Sequence, residues 1–328
     1  MWRRGALIFL CGLFVLSCGS ETQPPAEEGL MVVSDIAARR AQFVVKPLTA
    51  DVSHLSDGDH AALSHLVSAA EAVDEVFKLQ AWAGNSEFAE KVAAFEGTDA
   101  QAVKDYYRIM YGPWDRLTHF EPFLGDRPHP EGAGYYPEDM TRDEFEVWLE
   151  EHPEDREAFT SLFTIIRRTD DGLTAVPYSQ AYSQYLEVIA SELRAAATAT
   201  DNASLRRFLE LRADALLSDD YYDSDVAWMD LDSEIEVVIG PYETYEDHLF
   251  GYKAAFETFI CVAQPEDSAR LEIFKSELPF LEQNLPIPDE HKNFDRGSES
   301  PIRVVDELFT AGDTRAGVQT IAFNLPND

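Results

Sequence analysis

Two spacings dominate the order of apolar and polar residues along this chain. From Asp57 to Trp82, Leu63, Leu66, Val67, Ala70, Val73 and Phe77 recur at three- and four-residue steps. That rhythm puts them on one face of an amphipathic helix, which Gly84 and Asn85 close. From Glu234 to Ile239 the step is two, so Ile235, Val237 and Ile239 share one face of a strand. Gly240-Pro241 is expected to interrupt the strand, because proline has no N–H to donate to a ladder. Glu243 and Tyr245 follow, two residues apart, and in extended backbone their side chains point the same way. A second apolar run occupies Ala254 to Val262. On local chemistry these features are either a carboxylate and a phenol at a sheet rim or a hydrated strand–turn–strand corner.

The rest of the pattern is mainly helical. Helices are expected from Ala100 to Leu117, from the capping box at Thr141–Glu144 to Glu151, and from Pro153 to Arg168. Others are expected from Ser179 and from Asp201, and from Pro265 to Asn284 with a break at Pro279. Ile302–Leu308 and Gly317–Phe323 are the last strand candidates. The aromatics around Tyr106 and Tyr107 have core spacing. Gly132-Ala-Gly134 lies in no strand–helix context and has no third glycine, so it is not a phosphate cradle. Asp223 and Asp225, with Glu234 in the twelfth position, imitate a calcium loop. Ala227 and Trp228 stand where a ligand and the turn glycine belong, and the imitation fails. The fold class expected is α+β, mainly helical, with a small β-barrel-like or mixed sheet core.

Composition narrows the function. The formal charge of −35 over 328 residues argues against nucleic acid, which is bound by clustered Lys and Arg. An acidic surface of this kind is either simply solvated or attractive to cationic groups such as peptide amino termini. Arg3 and Arg4 followed by an apolar stretch from Ala6 to Leu16, and then Val15-Leu-Ser-Cys18, have the form of a bacterial lipoprotein signal. Residues 1–17 are expected to be removed, Cys18 to be lipidated, and 18–35 to act as a tether. The expected location is the outer membrane, because Gly19 rather than aspartate follows Cys18. Removal of the signal leaves a charge of about −37. Cys11 leaves with the signal, so Cys261 remains as a small buried hydrophobe with no disulfide partner.

No His-Glu-x-x-His, Gly-x-Ser-x-Gly or Walker sequence occurs. Five stretches nonetheless resemble zinc dipeptidyl peptidases of the dipeptidyl peptidase III type, especially shorter bacterial lipoprotein relatives. They are Gly112–Leu117, Gly132–Met140, Ser224–Leu231, Ile239 through Glu257, and Asn324–Asn327. The resemblance implies a two-lobed metallopeptidase of which this chain holds the lower lobe, over 36–264. A helical excursion to the upper lobe over 265–300 and truncated return strands over 301–328 are expected to follow. It also implies that Glu243 binds the free amino terminus of a peptide, with Glu257 near the same subsite. Tyr245 is implied as the oxyanion donor, and Asn324 and Asn327 as holding the peptide backbone. Zinc is expected in the full-length enzyme, on a helix downstream of Asn327, and none is expected to be bound by this chain alone. The alternative is a lipid-anchored, non-catalytic peptide-binding or scaffold protein.

The lipidation site has a direct test. Cys18→Ser is expected to leave the precursor unprocessed and absent from the membrane fraction, since two acyl chains anchor stably where one is marginal. Unchanged processing and lipid labelling in that variant would contradict the assignment.

Overall fold

Ile235, Val237 and Ile239 are all fully buried, as is Val238, and Glu236 between them is largely buried. The strand they form is therefore covered on both faces, not one. It belongs to a computed structural model that describes residues 30–294, 303–320 and 322–323. In chain order, α1 (Ile36–Ala41) and the long α2 (Asp57–Ala81) precede α3 (Asn85–Ala94) and α4 (Ala100–Met110). A short hairpin, β1 (Trp114–Asp115) and β2 (Glu121–Pro122), leads through a loop to α5 (Arg142–Glu151) and α6 (Arg156–Thr160). A second hairpin, β3 (Thr164–Thr169) and β4 (Gly172–Pro177), precedes α7 (Tyr178–Ala181), α8 (Ser183–Ala199), α9 (Ala203–Ser218) and α10 (Tyr222–Met229). Then come β5 (Ile235–Glu243), β6 (Ala255–Ala263), α11 (Pro265–Gln283) and β7 (Val305–Gly312).

The architecture is α+β, and the sheet core is small. Among the described residues it is a three-stranded antiparallel sheet in the order β5-β6-β7, with the two hairpins apart from it. α2 starts where Ser56 accepts a hydrogen bond from the Asp59 N–H, a 3.1 Å N-cap. Its buried stripe, from Leu63 through Leu66, Ala70 and Val73, shares the main core with Leu186, Ile189 and Leu193 of α8 and with the sheet residues Phe256 and Ile260, and Phe77 packs beyond it with Tyr111 and Ala255. The end of α2 is tied to the sheet by polar groups. Gln80, fully buried, donates to the Ala254 carbonyl at 3.2 Å and accepts from the Phe256 N–H at 2.7 Å. Gly134 packs so tightly on this turn that a Cβ there would lie 1.9 Å from the Leu79 carbonyl oxygen. Cys261 is buried on the other face of the sheet, with Val238 and Phe259.

Several sequence expectations need correction. Gly240-Pro241 does not end β5: the ladder runs on, pairing Gly240 with Glu257 and Pro241 with Phe256, and a bulge precedes the Glu243–Ala255 pair. Proline is accommodated because β5 is an edge strand among the described residues. The stretch expected to be one helix from Pro153 to Arg168 is a helical turn, α6 and then β3. Ile165 and Ile166 are both buried there, and β-branched residues pack well on a pleated surface. The helix from Ala100 stops at Met110, where Tyr111 takes left-handed backbone. α11 passes Pro279 unbroken, close to its C-terminal end, where a carbonyl without its partner N–H can meet water. The described part of Gly317–Phe323 contains no strand.

The Gln80 bridge yields a stability prediction. Gln80→Ala leaves the Phe256 N–H without its partner in a dry core, and is expected to cost about 2–3 kcal/mol in urea unfolding. A loss below about 0.5 kcal/mol would show that the bridge contributes little.

Candidate substrate-binding site

The connection between β5 and β6 is wound around one carboxylate. Asp247 accepts hydrogen bonds from the N–H groups of Leu249, Phe250, Tyr252 and Lys253 at 2.9–3.2 Å, and from the Tyr136 hydroxyl at 2.9 Å. Lys253 is itself fully buried, and its ammonium donates to the carbonyls of Phe159 and Ser161 and to the Thr164 hydroxyl. Burial pulls its pKa down to about 7, with Asp247 opposing. These contacts fix the turn that carries Glu243, Tyr245 and Glu246.

Three carboxylates gather at the bulged end of the sheet. Glu243 pairs across the ladder with Ala255, and Glu257 lies two residues further along β6, so both project from one face. Glu257 is 3% exposed. Burial raises its pKa to about 8, helped by Asp313 and Glu243 and opposed by the Thr314 N–H. Asp313, in the turn after β7, is raised to about 7 by burial and by Glu246, with Arg116 opposing. That Arg116 is itself held by Glu246 in a bidentate pair at 2.6 and 2.8 Å. Among the described residues, no Lys or Arg forms an ion pair with Glu243, Glu257 or Asp313. The site is thus a partly dry group of carboxylates.

Tyr245 stands differently from Glu243. It lies in the turn beyond β5 and is 76% exposed, so the two side chains do not share a strand face as extended backbone would require. Asn324, Asn327 and Cys18 lie outside the described residues. Phe323, next to Asn324, packs on Phe259 with ring centroids 4.4 Å apart. Phe259 is two residues from Glu257, on the same face of β6. Among the described residues, no three His, Cys, Asp or Glu side chains converge as a metal site. Catalytic zinc needs three protein ligands and an open position, and the described residues do not supply them.

Arg116, Glu246 and Asp313 were not among the residues singled out from sequence. Arg116 and Glu246 are 130 positions apart, and only the motif stretches containing them hinted at a shared place. Those stretches do converge. Arg116 of the first meets Glu246 of the fourth, and Tyr136 of the second meets Asp247. Asp225 of the third pairs with the buried Arg212, whose guanidinium lies 5.6 Å from the Tyr242 ring. Gly240, at φ 153°, gives Arg212 room: a Cβ there would be 2.8 Å from its Nη1.

A sequence model of peptidase family M49 matches residues 128–321, more than half of the chain. The chain belongs to peptidase family M49. Two solved structures are similar to it. The structure of DPP III from Caldithrix abyssi is 53% identical with a TM-score of 0.85, covering 89% of this chain and 56% of that one. Dipeptidyl-peptidase III from Corallococcus sp. strain EGB is 42% identical with a TM-score of 0.82, covering 89% and 55%. A protein named Nudix hydrolase 3, from Arabidopsis thaliana, is 34% identical over 333 residues, which make up 86% of this chain and 43% of that protein. The chain spans about half the length of the relatives it matches.

The raised pKa of Glu257 makes stability depend on pH. The folded protein holds this proton up to about pH 8, whereas an unfolded glutamate releases it near 4.5. That contribution is complete below about pH 4.5 and is lost as pH rises through about 8. Glu257→Gln is therefore expected to match the wild type in thermal melts at about pH 4.5, and to be more stable by on the order of a few kcal/mol at about pH 9. Parallel melting curves across that range would contradict the burial argument.

Proposed function

We propose that this chain carries the peptide-binding part of a metal-dependent dipeptidyl peptidase, and that Glu243, Glu257 and Asp313 receive the free amino terminus of the substrate. The observation that carries the reading is Glu257: a buried carboxylate beside Asp313 and Glu243, none of the three ion-paired with a described Lys or Arg, while Arg116 is held by Glu246. A peptide ammonium supplies the missing charge in a form that a neutral or acetylated terminus cannot. Membership of family M49 and the likeness to two dipeptidyl peptidase III structures support the reaction class.

In the complete enzyme, Tyr245 donates to the developing oxyanion, and its exposure leaves the phenol accessible to a bound peptide. Asn324 and Asn327 hold the extended peptide backbone. Phe323 supports that role by bringing the chain onto the Glu257 face of the sheet. α11 and the residues that follow it reach towards the second lobe, a reading supported by the exposed Phe274, Phe280 and Leu281. Residues 301–328 return to the lower lobe. The catalytic zinc is held by residues outside those described, and a lipid at Cys18 tethers the protein to the outer membrane.

Two measurements test this reading. Isothermal titration of the chain with tri-alanine is expected to show binding at least about tenfold tighter than with its N-acetyl form, and Glu243→Gln or Glu257→Gln to blunt that preference. Equal affinity for the two peptides would sink the assignment. In a complete family enzyme with the same residues, Tyr245→Phe is expected to lower kcat by about 10²–10³ with KM little changed. Near-normal kcat in that variant removes Tyr245 from the oxyanion role.

A further inference from the structure

Glu243 reaches the face of Glu257 only because β5 is out of register by one residue. Gly240 pairs with Glu257 and Pro241 with Phe256, so an unbroken ladder would set Tyr242 against Ala255. Glu243 would then point to the opposite face, into the core that holds Ile239 and Phe256. Instead Tyr242 is the extra residue of the bulge, and Glu243 takes the place opposite Ala255. Whatever holds Tyr242 out of the ladder therefore aims Glu243.

The Tyr242 ring lies against Arg212 of α9. The ring turns back along its own strand, and its hydroxyl donates to the Ile239 carbonyl at 3.2 Å. The Arg212 guanidinium is 5.6 Å from this ring, 5.3 Å from the Tyr221 ring and 5.4 Å from the Phe208 ring. Its Nη2 donates to Asp225 of α10, which fixes the plane of the group. Gly240 leaves the room, since a Cβ there would lie 2.8 Å from Nη1 and 3.3 Å from the Tyr242 hydroxyl oxygen. Stability does not ask for arginine here. The side chain is fully buried, and among the described residues its Nε and Nη1 have no hydrogen-bond partner. Unbonded donors in a dry place are a cost that an apolar side chain of similar volume avoids. What an apolar side chain cannot supply is a flat cation that attracts several ring faces while its fork grips a carboxylate.

We propose that Arg212 is a positioning residue for the ammonium site: it holds the Tyr242 ring in the bulge, and the bulge turns Glu243 onto the face of Glu257. The inference rests on the reading of Glu243 and Glu257 as holders of the substrate's amino terminus. Arg212 touches no substrate, and acts only through Tyr242. Once the ring is released, the end of β5 either slips into register or frays, and in both cases Glu243 leaves Glu257.

The test replaces the buried pair with uncharged groups of similar volume, Arg212→Met together with Asp225→Asn. Such replacements are often neutral for stability, so the double variant is expected to fold and to melt near the wild type. Hydrogen exchange of the segment 240–246 is expected to speed up by about tenfold or more, with the middle of β6 unchanged. The preference for tri-alanine over N-acetyl-tri-alanine in isothermal titration is expected to fall from about tenfold to within about twofold. Tyr242→Leu removes the ring and leaves the Arg212–Asp225 pair whole. It is expected to act in the same way, and it decides the matter where the double variant fails to fold. Unchanged exchange over 240–246, or a full preference for the free terminus in folded variants, overturns the role of Arg212 alone. A wild type that binds both peptides equally overturns the ammonium reading instead, and this role with it.

Discussion

Everything at the candidate site depends on the carboxylate of Asp247. It satisfies four backbone N–H groups of its own turn and the hydroxyl of Tyr136, so the six residues after it are wound into one conformation. Charge-assisted hydrogen bonds of this kind are stronger than neutral ones, and here they replace the ladder that a strand would have provided. Lys253 then anchors the far side of the turn by donating to three acceptors in the core. The consequence is positional. Glu246 is set against Arg116, Glu243 is placed at the bulge, and Glu257, two residues into β6, lies on the same face.

The electrostatics follow from that placement. A carboxylate removed from water prefers its neutral form, and neighbouring carboxylates add to the preference. Glu257 and Asp313 experience both effects, while Arg116 is held in a bidentate pair with Glu246. A site arranged this way is costly when empty and ionised, and is relieved by a cation that enters and leaves. The α-amino group of a peptide titrates near pH 8, so a protonated terminus can meet ionised acids over a narrow span around neutrality. The design suits a charge that arrives with the substrate better than one fixed in the protein.

Arg116 also touches a cluster of rings, Phe120 with His129 and His248, which is why the first motif stretch matters although it holds none of the three acids. Its guanidinium lies over Phe77 and Phe120 while its donors serve Glu246 and the Met110 carbonyl. Planar delocalised charge permits both at once, and a lysine in that position would do neither well. The left-handed residues His119 and Phe120 follow just after that stretch. Sheet end, arginine and strained turn therefore form one unit.

Periodicity and the capping box at Thr141 identified α2, the start of α5 and the two buried runs that became β5 and β6, because each is a local property of side-chain spacing. The motif stretches pointed to Glu243 and Glu257, which the fold brings to one face. What sequence could not decide was long-range. Gly240-Pro241 reads as a strand stop, yet edge position lets the ladder continue, and whether a strand is an edge is settled only when its partners dock. Ile165-Ile166 suits a helix or a strand until the hairpin pairs it with Ala175 and Val176. Asp313 and Arg116 are ordinary charged residues in sequence. They acquire meaning only because tertiary packing buries one beside Glu257 and commits the other to Glu246, and a pKa or a charge deficit is a property of neighbours, not of residue type.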